Sequence, residues 1–287
     1  MRLSRRQFLV LIAPGIVLLG LGFVAPLTYF FRFSLAEPSR TGFAGPGVSL
    51  NNFVTFLSSG YYVGIYLKTV LIALVSTVLT LVVALPASLY LSRRKGRVKN
   101  LLLVLALFPM LVGGVVRSIG WVALFGYSGF LNSVLIALGV TDTRRDYSHN
   151  VYSVTLALTL LLVPVCILVL TSSFEALDPA VERAGYDLGA RPSRVFFQIL
   201  LPQIVVGIMA ATALVFVLNM NAYSTPLLVG GPTTPMMATL IYDMMVNQNN
   251  WPLGTAAALI LLVTSLGLTA LYTTYLRKRV LVWRAKE

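Results

Sequence analysis

The sequence predicts an all-α polytopic membrane protein with six transmembrane helices, and three observations carry that prediction. Hydrophobic residues make up 57% of the 287 residues, charged ones only 11%, and the mean hydropathy is +0.86. A water-soluble domain carries roughly 25% charged residues, so this chain lacks the charge to cover a surface facing water. The apolar residues gather into six runs, each long enough to supply the ~20 residues that cross a bilayer. The formal net charge of +13 is parcelled into short clusters between those runs. That pattern suits anionic lipid headgroups and topology signals better than a nucleic-acid groove. A single transmembrane domain over residues 1–287 is expected.

The first run, 8–33, follows MRLSRRQFLVL, which mimics a twin-arginine export signal through Ser4, Arg5, Arg6, Phe8 and Leu9. It is long and very apolar, and no small-x-small site closes it. It therefore reads as an uncleaved first helix anchored by its arginines. The other expected spans are 64–91, 101–125, 151–174, 204–223 and 253–276. Pro14, Pro26, Pro86, Pro109 and Pro164 fall inside them. Each removes a backbone donor and bends its helix, which is tolerated where neighbouring helices satisfy the freed carbonyls. Bent helices packed around a path are expected. No internal repeat of the kind seen in many secondary transporters is visible. The single cysteine, Cys166 in LLVPVCILVL, reads as a small buried apolar residue.

Loop charges predict the orientation. One side holds Arg2, Arg5 and Arg6; Arg93, Arg94, Lys95, Arg97 and Lys99; Arg183, Arg191 and Arg194; and Arg277, Lys278, Arg279, Arg284 and Lys286. The opposite loops hold Arg40, Arg144 and Arg145. The positive-inside rule then puts both termini and the insert 178–204 in the cytoplasm.

That insert, DPAVERAGYDLGARPSRVFFQILLPQI, is the polar interruption most in need of a reason. Asp178 suits an N-cap and Pro179 the first helical position. A short helix can run through Val181, Glu182, Arg183, Ala184, Gly185, Tyr186 and Asp187. Gly189 is a natural stop, because glycine enters the left-handed conformation freely. Pro192 makes a second corner, and Val195, Phe196, Ile199 and Leu200 stand at helical spacing beyond it. Two short helices at an angle are expected. The first is too short to be stable alone in water, so it either lies on lipid headgroups or docks a partner.

The segment resembles the "EAA" loop of permease subunits in binding-protein-dependent ABC importers, whose pattern is E-A-A-x-x-x-G, nine residues, then I-x-L-P. Gly189, Ile199, Leu201 and Pro202 match the second half. In the first half Ala184 falls on the first alanine, Gly185 replaces the second, and Arg183 stands for the glutamate, with Glu182 one residue earlier. VVRSIGWVALFGYSGFLNSVLIALGV (115–140), PVCILVLTSSFEALDPAVERAGYDLGA and NNWPLGTAAALILLV also resemble the spermidine/putrescine branch of these permeases. The resemblance implies a type I ABC importer permease fold in a bacterial inner membrane. It implies a second permease subunit, in such permeases often of different sequence, a pair of ATPase subunits below, and a periplasmic solute-binding protein above. The short helix would fill a groove on the ATPase, with Val181 and Tyr186 in apolar contact and Glu182, Arg183 and Asp187 pairing across the rim.

No cofactor is expected on this chain. The P-loop pattern G-x-x-x-x-G-K-[S/T] is missing from the sequence, and RRKGRVKN lacks both its spacing and a preceding strand. ATP and Mg are expected on the partner ATPase subunits. One histidine, His149, and nine scattered acids make no catalytic cluster, so the chain reads as a non-enzyme.

Polar residues inside a membrane point to a route, since a charge at mid-helix costs about 2.5–3.5 kcal/mol on insertion scales. Arg117 lies about 24 Å along the third span at ~1.5 Å per residue, where snorkelling and a path role both fit. The fifth span turns polar at Asn219, Asn221 and Tyr223 and then meets Pro226 and Gly230. A helix ending early in amides and glycine reads as an opening into a cavity. MMATLIYDMMVNQNNWP can form a short re-entrant or interfacial helix carrying Tyr242 and Asp243. Asp243 is a candidate ligand for a cationic amine, a helix cap, or a partner of Arg117. Trp251 suits an interfacial aromatic belt.

The expected function is passage of a small solute, polyamine-like or a related amine or amino-acid-derived compound, from a binding protein to the cytoplasm. Phosphonate, opine and ferric substrates stay open, because external acids are few. The competing classes are a gradient-driven transporter or channel, which needs ionisable residues deep in its spans, and a structural scaffold, which needs no polar end to span five.

Overall fold

The computed structural model describes residues 5–38 and 44–284. Of the residues used above, Arg2, Ser4, Arg40 and Lys286 lie outside the described residues. Contacts within the chain divide it into two units. One takes the chain up to Gly64 together with Leu240–Val263, and the other takes Ile65–Thr239 with the chain from Thr264 onward.

In the first unit, α1 (Arg5–Leu19) passes through a π-helical turn (Gly20–Val24) into α2 (Ala25–Ser34). The widened turn ends just upstream of Pro26, where an ordinary α-turn would press a carbonyl against the proline ring. Leu18, Leu21 and Phe23 stand exposed along it. The chain then makes a small hairpin that the helical reading did not include, with β1 (Ala36–Pro38) antiparallel to β2 (Ala44–Val48). Helix α3 (Asn51–Ser58) follows. Its buried Asn52 donates to the Ser34 carbonyl at 2.9 Å and the Ala36 carbonyl at 2.8 Å, fastening α3 to the end of α2.

Most of α4 (Gly60–Ser92) belongs to the second unit, which continues with α5 (Gly96–Leu111), α6 (Gly114–Phe125), α7 (Phe130–Ala137) and α8 (Val151–Glu175). Small hydroxyls join α4 to α8. Ser76, Thr80 and Ser88 donate to the carbonyls of Thr155, Thr159 and Ile167 at 3.1, 3.2 and 3.4 Å, each partner 79 residues further on. A constant offset requires the two helices to run parallel and in register. Spans two and four of a chain that weaves back and forth must do so. The donors recur at multiples of four residues, on one face of α4, and their small side chains let the two backbones approach. Leu162, Cys166 and Leu170 of α8 join Ala84 and Leu91 of α4 and Ala211 and Val215 in one buried cluster.

The expected third span is divided. Helix α5 stops at Leu111, Val112 and Gly113 are extended with ψ of 130° and 145°, and α6 restarts at Gly114. Pro109 and the Gly113–Gly114 pair supply the break, through a missing donor and poor helix propensity. The stretch Gly114–Ala137 is itself apolar and long enough to cross a membrane. Span five is also bent: α10 (Pro192–Gln203) meets α11 (Val205–Met220) at 75°. Counting that bent pair as one crossing, the described residues hold six candidate spans. The last helices are α12 (Met237–Tyr242) and α13 (Trp251–Arg284).

Candidate functional site

The insert forms an elbow at the end of the second unit where α4 finishes. Helix α9 (Pro179–Asp187) is capped by Asp178, whose Oδ1 accepts the Ala180 N–H at 2.8 Å, and Pro179 occupies its first turn. Gly189, at φ +77°, ends it. The Gly189 N–H reaches the Tyr186 carbonyl at 2.9 Å and the Ala190 N–H reaches the Gly185 carbonyl at 3.1 Å. This paired closure satisfies two carbonyls that the helix end would otherwise orphan. Arg191 is extended before Pro192, and α10 then doubles back.

The crossing of α9 and α10 explains one departure from the resembled pattern. Gly185 is buried, and a Cβ there would stand 2.7 Å from Ile199 Cδ1 and 3.3 Å from Val195 Cγ2. Val195, Leu200 and Ile204 then join Phe174 of α8 in one buried apolar cluster. A π-helical stretch (Val195–Leu200) again ends just before a proline, Pro202. Leu201 and Pro202 are half-buried within α10, so Pro202 lies inside that helix, and the bend falls at Ile204.

Charge fastens the elbow from behind. Arg93, one residue past α4, pairs with Glu182. Lys99 Nζ of α5 meets Glu175 Oε1 of α8 at 2.6 Å. The basic loop 93–99 and the elbow therefore share one end, as the orientation argument requires. The pairing also corrects an expectation: Glu182 is engaged within the chain instead of facing outward across a rim.

Away from these braces, α9 presents Val181, Ala184 and Leu188, spaced i, i+3 and i+7 on one face. Leu188 is 88% exposed and Val181 38%. Arg183 and Asp187 are exposed beside them. Tyr186, 44% exposed, lines a groove against the end of α4. Leu188 was not among the expected site residues because its neighbour Gly189 dominated the reading of the turn. The apolar spacing 181, 184, 188 was the signal available.

The expected path residues fall in both units. In the second unit, Asn219 is fully buried; its Nδ2 donates to Thr77 Oγ1 at 3.3 Å, and its Oδ1 meets no donor among the described residues. Asn221 instead folds back on its own helix, donating to the Val217 carbonyl at 2.8 Å. Helix α11 does end early, at Met220. Tyr223 is half-buried. Arg117 is half-buried on α6, its Nε without an acceptor among the described residues, while its neighbour Ser118 meets Thr225 Oγ1 at 3.2 Å. Tyr242 and Asp243 belong to the first unit. The Asp243 carboxylate accepts from Asn247 Nδ2 at 2.8 Å and Gln248 Nε2 at 2.7 Å, a local cap on its own turn.

At the opposite end of the second unit lies a strap that the sequence reading did not assemble. The His149 N–H donates to the Val229 carbonyl at 2.7 Å, and Thr233 donates its hydroxyl to the His149 carbonyl. Both turning residues are left-handed, His149 at φ 59° and Gly231 at φ 56°, and a Cβ on Gly231 would strike the His149 ring. Ser148 donates its hydroxyl to Asp146 Oδ1 at 2.5 Å and lies 2.6 Å from His149 Nδ1. That hydroxyl, then the Ser148 N–H, holds the Asp146 carboxyl below its ordinary value. Among the described residues no cluster of three His, Cys, Asp or Glu side chains is gathered to hold a metal.

Residues 60–281 match the family of binding-protein-dependent transport system inner membrane components. The chain is 30% identical over 215 residues to the spermidine/putrescine transport system permease protein PotB of Escherichia coli strain K12, covering 75% of this chain and 78% of that one. It is 26% identical to the inner membrane ABC transporter permease protein YdcU of the same organism, over 94% of this chain and 88% of that one. A bacterial ABC transporter involved in the import of the acidic polysaccharide alginate has a chain of the same fold, with a TM-score of 0.79 at 16% identity and 96% of each chain covered. With its apolar spans and its matching elbow, this chain belongs to the binding-protein-dependent transport components of the inner membrane, as a permease subunit of an ABC importer.

Proposed function

We propose that the elbow is this permease's mechanical input, and that the solute it passes inward is a polyamine-like cation. In this reading both termini and α9 face the cytoplasm, where a pair of ATPase subunits holding Mg and ATP receives the helix. A second permease chain of different sequence completes the path, and an external binding protein delivers the solute. The observation that carries the reading is α9 itself: a stiff, doubly turned helix, braced behind by Gly185 and Glu182, with Val181, Ala184 and Leu188 turned outward. Exposed apolar residues on so short a helix are costly in water and suit a groove.

The solute class rests on the likeness to PotB. Asn219 is fully buried, so its unmet amide oxygen meets an amine only in an arrangement that opens the packing around it. The binding protein would supply most of the selectivity, because acids are few along the chain.

Leu188→Asp tests the input. It should lower co-purification of the ATPase by about thirtyfold, the scale of an interface hot spot of ~2 kcal/mol, while membrane insertion stays intact. Unchanged ATPase retention would refute the docking role. The solute class is tested separately, by uptake of labelled spermidine, an amino acid and a phosphonate in cells carrying the whole transporter.

A further inference from the structure

Beside the docking face, the elbow and the end of α4 enclose a groove of about 600 Å³. Its make-up changes along its length. Pro86 and Leu89 of α4 and Phe196 and the mostly buried Leu200 of α10 supply its apolar lining. Arg93, Arg94 and Ser193 supply its polar lining. Arg94 is held in place by the Tyr90 ring, its Cζ 4.5 Å from the ring centre. A cation so placed keeps its donors free to point outward.

Glu182 is the one acid lining the groove, and it takes up only part of this charge. It pairs with Arg93 Nη2, and the Arg93 side chain stays 29% exposed beside that pair. The site therefore combines a partly exposed Arg93 and a second arginine oriented by Tyr90 with four apolar side chains.

We propose that this groove binds an anionic phospholipid, its phosphate bridging Arg93 and Arg94 and a chain lying along Pro86, Leu89, Phe196 and Leu200. A phosphodiester matches the planar forks of two arginines. Basic pockets between helices at a membrane face take such headgroups. A free phosphate shares the head chemistry but makes no use of the four apolar side chains, so the lipid is the better fit. Because the same Arg93 braces Glu182, a bound phosphate shares that guanidinium and bears directly on the seating of α9.

The test uses the intact transporter purified in detergent and mixed with phosphatidylglycerol or phosphatidylcholine, with retained lipid counted by native mass spectrometry. Phosphatidylglycerol should be retained in preference. Arg94→Gln should lower that retention about fivefold, the weight of one arginine near a membrane surface. This variant leaves the Arg93–Glu182 brace in place, so a folding defect does not confuse it. Lys95→Gln, exposed and outside the groove, should change nothing. Equal retention of the two lipids, or an equal loss in Lys95→Gln, would overturn the proposal. So would displacement of the lipid by millimolar inorganic phosphate, which would make this a free-anion site.

Discussion

The two ends of the second unit solve the problem of an exposed turn in opposite ways. The strap at His149 closes on itself: Asp146, Ser148 and Thr233 spend their hydrogen bonds on neighbouring backbone and side chains. The elbow satisfies its backbone just as fully through Asp178 and Gly189, yet leaves Val181 and Leu188 facing outward. One end is closed by its own polar groups, and the other leaves apolar side chains uncovered.

Substitutions at each end sharpen that contrast. The largest effect is expected from Gly185→Val, whose Cβ has no room beside Ile199. Overpacking of this kind costs ~1–3 kcal/mol and should unseat α9, so that uptake and the solute stimulation of ATP hydrolysis are both lost in reconstituted vesicles. Gly189→Asp comes next. Nothing crowds that position, but φ of +77° strains any side chain, by roughly 1–2 kcal/mol. It should abolish ATPase association and uptake while leaving insertion intact. Unchanged solute-stimulated hydrolysis there would argue against docking.

The smallest effect belongs to the strap. Asp146 is held below its ordinary pKa by Ser148. A depressed carboxyl contributes stability in full above its unfolded value and loses it as pH falls through the folded one. Ser148→Ala removes the larger cause, the hydroxyl, and leaves the backbone N–H in place. Its melting temperature should sit slightly below that of the parent at neutral pH, and the gap should close below ~pH 4. A gap that widens in acid would contradict the assignment.

Much of this architecture was legible in the sequence, and the limits are physical. Hydropathy reveals spans because lipid demands apolar length, and Asp178, Pro179, Gly189 and Pro192 reveal the elbow because each has a local backbone reason. What stayed hidden depends on distant partners. The Arg93–Glu182 pair, the hydroxyl ladder at an offset of 79 residues and the strap from His149 to Val229 join segments far apart in the chain. The break in the third span was available in Pro109 and Gly113–Gly114, but unbroken apolarity across it outweighed those signals. Asn221 shows the converse: an amide that looked aimed into a path is spent on its own helix end.

The most direct measurement uses the chain's one native thiol to advantage, since Cys166 is fully buried. With Leu188→Cys as the single accessible thiol, a membrane-impermeant maleimide should label it in inside-out vesicles and not in right-side-out ones. Restoring the ATPase should then block the label. Labelling from the outside, or labelling undiminished in the assembled transporter, would contradict the claim that this elbow takes force from a cytoplasmic motor.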